Sequence, residues 1–200
     1  MSKKTTISII IIALILISGG MYYFWWGNQQ PKDVIPEGVK VVIQNGKKII
    51  QNEPAGYEVE VPKDWNIYGE EIERLEISRV KEKNTNSETI KGCKVDVNQE
   101  NFKEQSLNEW LQKRDQERLK EEKNEPSSTQ ITKENNITFM NRPAIERIYE
   151  PPIGPTYKEV YLPLEGKILI LRETIGITSG KERQQCEEEI KSIVESLTIL

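Results

Sequence analysis

The sequence predicts an α/β domain whose largely antiparallel sheet is packed by two helices, preceded by a single N-terminal transmembrane helix. Three observations carry this expectation. Residues 7–26 form an apolar run without a charge. Segments that alternate apolar and polar residues, the period of a half-buried strand, fill most of the remaining chain. Two stretches, residues 106–123 and 180–196, switch to the helical period.

The apolar run, ISIIIIALILISGGMYYFWW, is twenty residues long. A helix of that length spans about 30 Å, the thickness of a hydrocarbon core. Lys3 and Lys4 precede it, and the next charge, Lys32, is soon balanced by Asp33 and Glu37. The positive-inside rule then keeps residues 1–6 in the cytoplasm and sends residues 27–200 outside, a single-pass arrangement in the cell membrane. Tyr22, Tyr23, Phe24, Trp25 and Trp26 close the run, where amphipathic rings favour the lipid–water interface. Ser18 and Gly20 are spaced like a cleavage site. Cleavage after Gly20, however, leaves the aromatics of MYYFWW in water. A retained signal anchor is therefore the expectation. No Cys near the run supports lipid attachment, and no early acid supports a pilin-type leader.

Composition narrows the chemistry. The chain has no His and two Cys, which removes histidine-based catalysis and any four-ligand Cys/His metal site. Its net charge is -4, and residues 27–200 carry 26 basic against 32 acidic groups. That balance argues against a nucleic-acid partner, whose affinity comes from neutralising phosphates. Those residues hold enough apolar side chains for one core.

Residues 27–38, with Pro31 and Pro36, read as a linker, and the outer domain as residues 39–200. Residues 39–43 and 47–51 flank Asn45-Gly46, the dipeptide of a type I′ hairpin. Residues 56–61 alternate, with Tyr57, Val59 and Val61 facing inward, and Pro62 ends the ladder. Residues 73–81 place Leu75, Ile77 and Arg79 on one face; residues 93–99 do the same for Cys93, Val95 and Val97. Residues 82–91 read as a polar loop or hairpin tip.

Ser106 and Glu109 form a capping box. It opens a helix to about Lys123, with Leu107, Trp110, Leu111 and Leu119 on one stripe. Strands follow over residues 129–134, 137–140, 144–150, 156–162 and 167–174. Asn135-Asn136 and Glu165-Gly166 are the turn signals between them. Residues 151–155, rich in proline, form a stiff connection. A last helix over residues 180–196 carries Cys186, Ile190, Ile193, Val194 and Leu197 on its sheet-facing stripe.

Several of these segments recur in a known order. A strand ends in Pro62-Lys-Asp-Trp65, a helix begins Ser106-Leu-Asn-Glu-Trp-Leu111, and Met140-Asn-Arg-Pro-Ala-Ile-Glu146 leads into a strand. A strand hairpin follows, and the final helix ends Ile190-Lys-Ser-Ile-Val-Glu-Ser-Leu197. Over about residues 56–200 this resembles the PsbP-like superfamily. That group includes the extrinsic photosystem II protein, a Ran-binding nuclear factor and short bacterial proteins with a lipid or helix anchor. Asn141 stands where the family commonly has a turn glycine, an exchange Asn tolerates in the left-handed region. The resemblance implies an α/β/α sandwich around an antiparallel sheet and no shared catalytic motif.

The remaining motifs are better read as structure. Gly176 to Lys181 has three residues between its glycines and Glu182 after its Lys, whereas a phosphate loop needs four and then Ser or Thr. Thr178 or Ser179 as a helix cap accounts for it. No Ser lies in a G-x-S-x-G or S-x-x-K setting. Glu121-Glu122 and Glu187-Glu188-Glu189 read as solvated helix faces, and the four Asp residues are too dispersed for a calcium loop. Asn136-Ile-Thr138 spells a glycosylation sequon, and Trp65 and Trp110 read as packing.

Cys93 and Cys186 fall on the inward faces of their elements. They are either a disulfide closing a loop of about 90 residues or two buried thiols. No catalytic, cofactor-binding or metal-binding residues are expected. The functional expectation is a membrane-anchored, extracytoplasmic, non-catalytic module that binds or assembles with an envelope or membrane protein. The alternative is an extracytoplasmic small-molecule or metal-binding sensor or solute-binding domain.

Overall fold

The computed structural model describes residues 33–83, 90–121, 129–176 and 179–200. The expected membrane segment, residues 7–26, lies outside them; no helix among the described residues is long and apolar enough to cross a membrane.

The chain opens with the expected hairpin. β1 (Lys40–Gln44) and β2 (Lys47–Asn52) flank Asn45 and Gly46, whose φ angles of 52° and 76° are those of a type I′ turn. β3 (Tyr57–Pro62) pairs with β2, and its Tyr57, Val59 and Val61 are buried. A two-residue strand near the end of the chain, β11 (Thr198–Ile199), completes a four-stranded sheet in the order β1-β2-β3-β11.

The second sheet has seven strands. They are β4 (Asn66–Glu71), β5 (Arg74–Lys83), β6 (Ile90–Asn101), β7 (Gln130–Phe139), β8 (Arg142–Glu150), β9 (Tyr157–Leu164) and β10 (Lys167–Ile175). Their order is β4-β5-β6-β10-β9-β8-β7, and every pairing is antiparallel. β10 reads ILIL because both of its faces are covered. Leu169 and Leu171 face helix α2 (Gly180–Ser196), packing with Val95, Val97, Ile190 and Ile193, and with Ile50, Val59 and Val61 of the small sheet. Ile168 and Ile170 face helix α1 (Leu107–Glu121), among Trp110, Leu111, Ile145 and Tyr161. The two helices thus lie on opposite faces of the large sheet.

Helix α1 is capped as the sequence expects, with one change. The Glu109 amide donates to Ser106 Oγ at 3.2 Å, but the Glu109 carboxylate accepts from the Gln105 amide at 3.2 Å, one residue upstream of the usual partner. Leu119 does not join the buried stripe; it is 51% exposed. From Leu111 the helical period carries Arg114, Asp115 and Arg118 to the sheet, and Leu119 lies about 100° further round.

Two further expectations are corrected. Asn135-Asn136 is not a turn: β7 runs through it, with Asn136 opposite Ile145 and the Asn135 amide donating to Glu146 at 3.0 Å. The reversal comes instead at Met140-Asn141, with φ of 51° and 60°. Residues 33–38, expected in the linker, belong to the compact unit Asp33–Leu200. Val34 forms a parallel bridge to Tyr68, donating to the Ile67 carbonyl and accepting from the Gly69 amide, each at 2.8 Å. Asp33 accepts from the Ile67 amide at 2.9 Å and from Lys48 at 2.7 Å. β4 carries little apolar pattern because Gly69 sits where a Cβ would lie 2.3 Å from Leu75 Cδ2.

Cys93 of β6 and Cys186 of α2 are joined as a disulfide, with Cα atoms 5.8 Å apart across 93 residues of sequence. Replacing both by Ala should lower unfolding stability by about 2–4 kcal/mol. Urea denaturation checks this, and an unchanged midpoint would contradict it.

Candidate functional site

The face of the large sheet under α1 carries an unbroken transverse row of charges, one from each of six strands. Glu76 lies opposite Asp96, Asp96 opposite Arg172, Arg172 opposite Glu159, Glu159 opposite Arg147, and Arg147 opposite Glu134. From Asp96 to Glu134 the signs alternate, so each cross-strand pair is attractive. The exception, Glu76 beside Asp96, is bridged by Lys94, whose Nζ lies 3.3 Å from Glu76 Oε2 and 3.0 Å from Asp96 Oδ2.

Burial makes this row exacting. Glu159 is only 2% exposed and uses both carboxylate oxygens: Oε1 accepts from Arg172 Nε at 2.7 Å, and Oε2 accepts from the Tyr161 hydroxyl. Tyr149 in turn donates to Tyr161 Oη at 2.6 Å. Arg147 donates to Glu134 at 2.7 Å, and across to Asp115 of α1 at 3.0 Å. Arg114 pairs with Glu100 at 2.5 Å and lies over the Trp110 ring, while Arg172 lies over Tyr157, 4.6 Å from its centroid. Trp110 packs at a tilt on Tyr161. Between α1 and the sheet a cleft of about 290 Å³ is lined by Arg114, Arg118, Arg172, Tyr149 and Tyr157.

The electrostatics suit holding rather than proton transfer. Burial, followed by the Glu159 charge, pushes the Tyr161 phenol far above the ordinary range, and burial raises Tyr149 and Tyr157 as well. Burial alone would lower the Arg147 and Arg172 guanidiniums, but their hydrogen-bonded and charged neighbours outweigh it. These five groups keep their protons across neutral pH, so none is poised as a general base. The cleft's arginines already face acids of the same cluster, which weakens the solute-binding alternative.

A second polar cluster flanks the disulfide. Trp65, fully buried, donates from Nε1 to Glu189 Oε2 at 2.9 Å, and Arg79 Nη1 donates to Glu189 Oε1 at 2.9 Å. Glu189 is thus turned inward, whereas Glu187 and Glu188 are exposed and bond to Arg183 and Gln184 one turn earlier. Ser179 occupies the cap position of α2, but its hydroxyl donates to Glu182 rather than capping a backbone amide. Thr178 lies outside the described residues. Asn136 of the sequon is an exposed residue of β7. Among the described residues no group of His, Cys, Asp and Glu side chains is arranged to hold a metal ion.

The sequence reading found Cys93 and Cys186 but missed the charged row. Part of its signal was present: Arg147 alternates with the buried Ile145 and Tyr149, Glu159 with the buried Tyr161, and Arg172 with the buried Ile168 and Ile170.

No family model matches the chain, and no curated protein matches it. Solved structures similar to it include cyanobacterial PsbP from Synechocystis sp. PCC 6803, at 8% identity over 86% of this chain and 98% of that one, TM-score 0.46. The Ran-binding protein Mog1p of Saccharomyces cerevisiae is similar at 12% identity over 80% and 95%, TM-score 0.47. A Pseudomonas aeruginosa protein of unknown function, described as a putative regulator, is similar at 10% identity over 81% and 97%, TM-score 0.44. Nothing about binding is carried from them to this chain.

Two predictions follow from the charged row. Glu159→Gln removes the charge that Arg172 and Arg147 share across the sheet and leaves Asp96 as the remaining acid beside Arg172, which is 36% exposed. Stability should fall by about 1–3 kcal/mol, read by thermal unfolding. Burial raises the Asp96 carboxyl, with Lys94 opposing and Glu76 adding. The folded state therefore binds the extra proton first, and this group's contribution to stability grows as pH falls and is lost as pH rises through its folded value. Against Asp96→Asn, the native chain should gain relative stability between pH 7 and about pH 4.5. A constant difference in melting temperature would refute this.

Proposed function

We propose that this chain is a non-catalytic protein-binding or assembly module, held outside a membrane by residues 7–26. The observation that carries the binding reading is where apolar side chains are left in water. Val34, Tyr68, Val42 and Ile43 are 43%, 44%, 47% and 62% exposed. Val34, which follows Asp33 and bridges to Tyr68, and Ile43, which lies opposite Lys48, flank the Asp33–Lys48 ion pair, while Val42 lies on the other face of the small sheet. Buried Glu159, Arg147, Trp65 and Gln99, by contrast, are hydrogen-bonded within the fold. A surface with apolar side chains exposed and polar ones engaged recognises a protein surface more readily than it performs a reaction.

The Cys93–Cys186 bridge supports the outer compartment, since structural disulfides persist where the surroundings oxidise. Cells lysed directly into an alkylating reagent should yield a chain with both cysteines unmodified. Alkylation of both would overturn the extracytoplasmic placement.

The binding reading is tested by crosslinking the full chain in its native membranes and purifying it under denaturing conditions. One envelope or membrane protein recovered in fixed proportion is the expected result. Recovery without any other protein species sinks this reading.

A further inference from the structure

The four strands at the edges of the two sheets are not equally protected. The outer edge of β4 is occupied by Val34, which bonds to Ile67 and Gly69. β7 carries a register shift between Ile131 and Lys133, and the charges of Lys133 and Glu134. Both devices block pairing with another chain. β11 is two residues long. β1 carries a charge only at its first residue, Lys40; its Val41, Val42, Ile43 and Gln44 are uncharged, and among the described strands it pairs only with β2.

We infer that β1 pairs antiparallel with β1 of a second copy of this chain, about a two-fold axis through Val42. The backbone fixes the register. Gln44 and Lys47 close a two-residue turn, so their amide and carbonyl groups bond to each other. Paired positions alternate along the ladder, which turns the polar groups of Val42 towards β2 and those of Val41 and Ile43 towards the open edge. A two-fold axis through Val42 sets Val41 against Ile43 of the second copy in a hydrogen-bonded pair, twice over.

Side chains and charge favour the same register. Val41 packs on the core, while Ile43 is 62% exposed and overhangs it. The pairing seats Ile43 against Val41 of the second copy, beside that copy's Ile50, the ladder partner of Val41. On the other face Val42 lies opposite Ile49, so pairing joins two such couples into one apolar stripe. Lys40 then meets the neutral Gln44, whereas a parallel arrangement would set the two Lys40 side chains together. Two small sheets become one eight-stranded sheet through an isologous contact. The inference deepens the assembly reading and rests on it only in treating the exposed apolar side chains as a contact surface.

Cysteine crosslinking of the full chain in its own membrane tests the register. The two Val42 Cα atoms of the paired strands lie about 4.5 Å apart, within disulfide reach. Mild oxidation of Val42→Cys should therefore give a covalent dimer. Lys40→Cys, whose two copies sit about 13 Å apart, should stay monomeric. Val42→Lys sets like charges opposite each other and should convert a detergent-solubilised dimer to monomer in sedimentation. Monomeric Val42→Cys, or Lys40→Cys that crosslinks equally well, overturns the inference. If another envelope protein is captured while Val42→Cys remains monomeric, the assembly reading survives and this pairing does not. The converse result keeps the pairing and removes the hetero-partner.

Discussion

One covalent bond fixes the position of the element that unites this domain. Cys93–Cys186 ties α2 to β6, in the large sheet. One turn on, Glu189 takes hydrogen bonds from Trp65 and from Arg79. At the far end of the helix Ser196 Oγ accepts from the Glu60 amide at 2.9 Å, in the small sheet. Between these ties Ile190 and Ile193 complete a core fed by both sheets. The disulfide limits the arrangements open to the unfolded chain, while the polar ties fix the helix's rotation, since a turn about its axis would withdraw Glu189 from the Trp65 indole.

The two faces of the large sheet are held by different physics. Beneath α2 the contact is apolar, and burial of area supplies the attraction. Beneath α1 a smaller apolar cluster around Trp110 and Tyr161 adjoins the charged row. Buried ion pairs add little net stability, because desolvation offsets attraction, but removing one member is severe. The row therefore acts mainly on register. A shift of β8 against β9 by one residue would set Arg147 against Lys158 and Glu146 against Glu159, like charge against like.

Most of the fold was legible because its elements obey their own periods. Tyr57, Val59 and Val61 alternate, Asn45-Gly46 spells its turn, and the bounds of α2 follow from Cys186, Ile190 and Ile193. What the sequence hid was decided by tertiary contacts. β4 shows no strand period because Gly69 takes one of its two buried positions, and its outer edge is completed by Val34, a partner 34 positions earlier in the chain. Asn135 and Asn136 carry turn chemistry but are held in β7 by the β8 ladder. Leu119 looks like core until the sheet claims Arg118 instead. In the sequence a member of the charged row shows at most as a charge at an inward position of its own strand; the row itself forms only when six strands align. Cys93 and Cys186 could be placed inward from the sequence, but their separation awaited the fold.

The position of α2 in the chain has a consequence for how the protein is made. All seven strands of the large sheet are synthesised before this helix, so the face bearing Val95, Val97, Leu169 and Leu171 emerges from the ribosome with only the first strands of the small sheet to cover it. The contacts that close it join residues as far apart as Glu60 and Ser196, 136 positions. Such closures are slow relative to local hairpins. The nascent chain thus passes through a stage in which hairpins can exist while the principal core stays wet. Whatever escorts the chain at that stage must shield a broad aliphatic surface until its last helix is delivered.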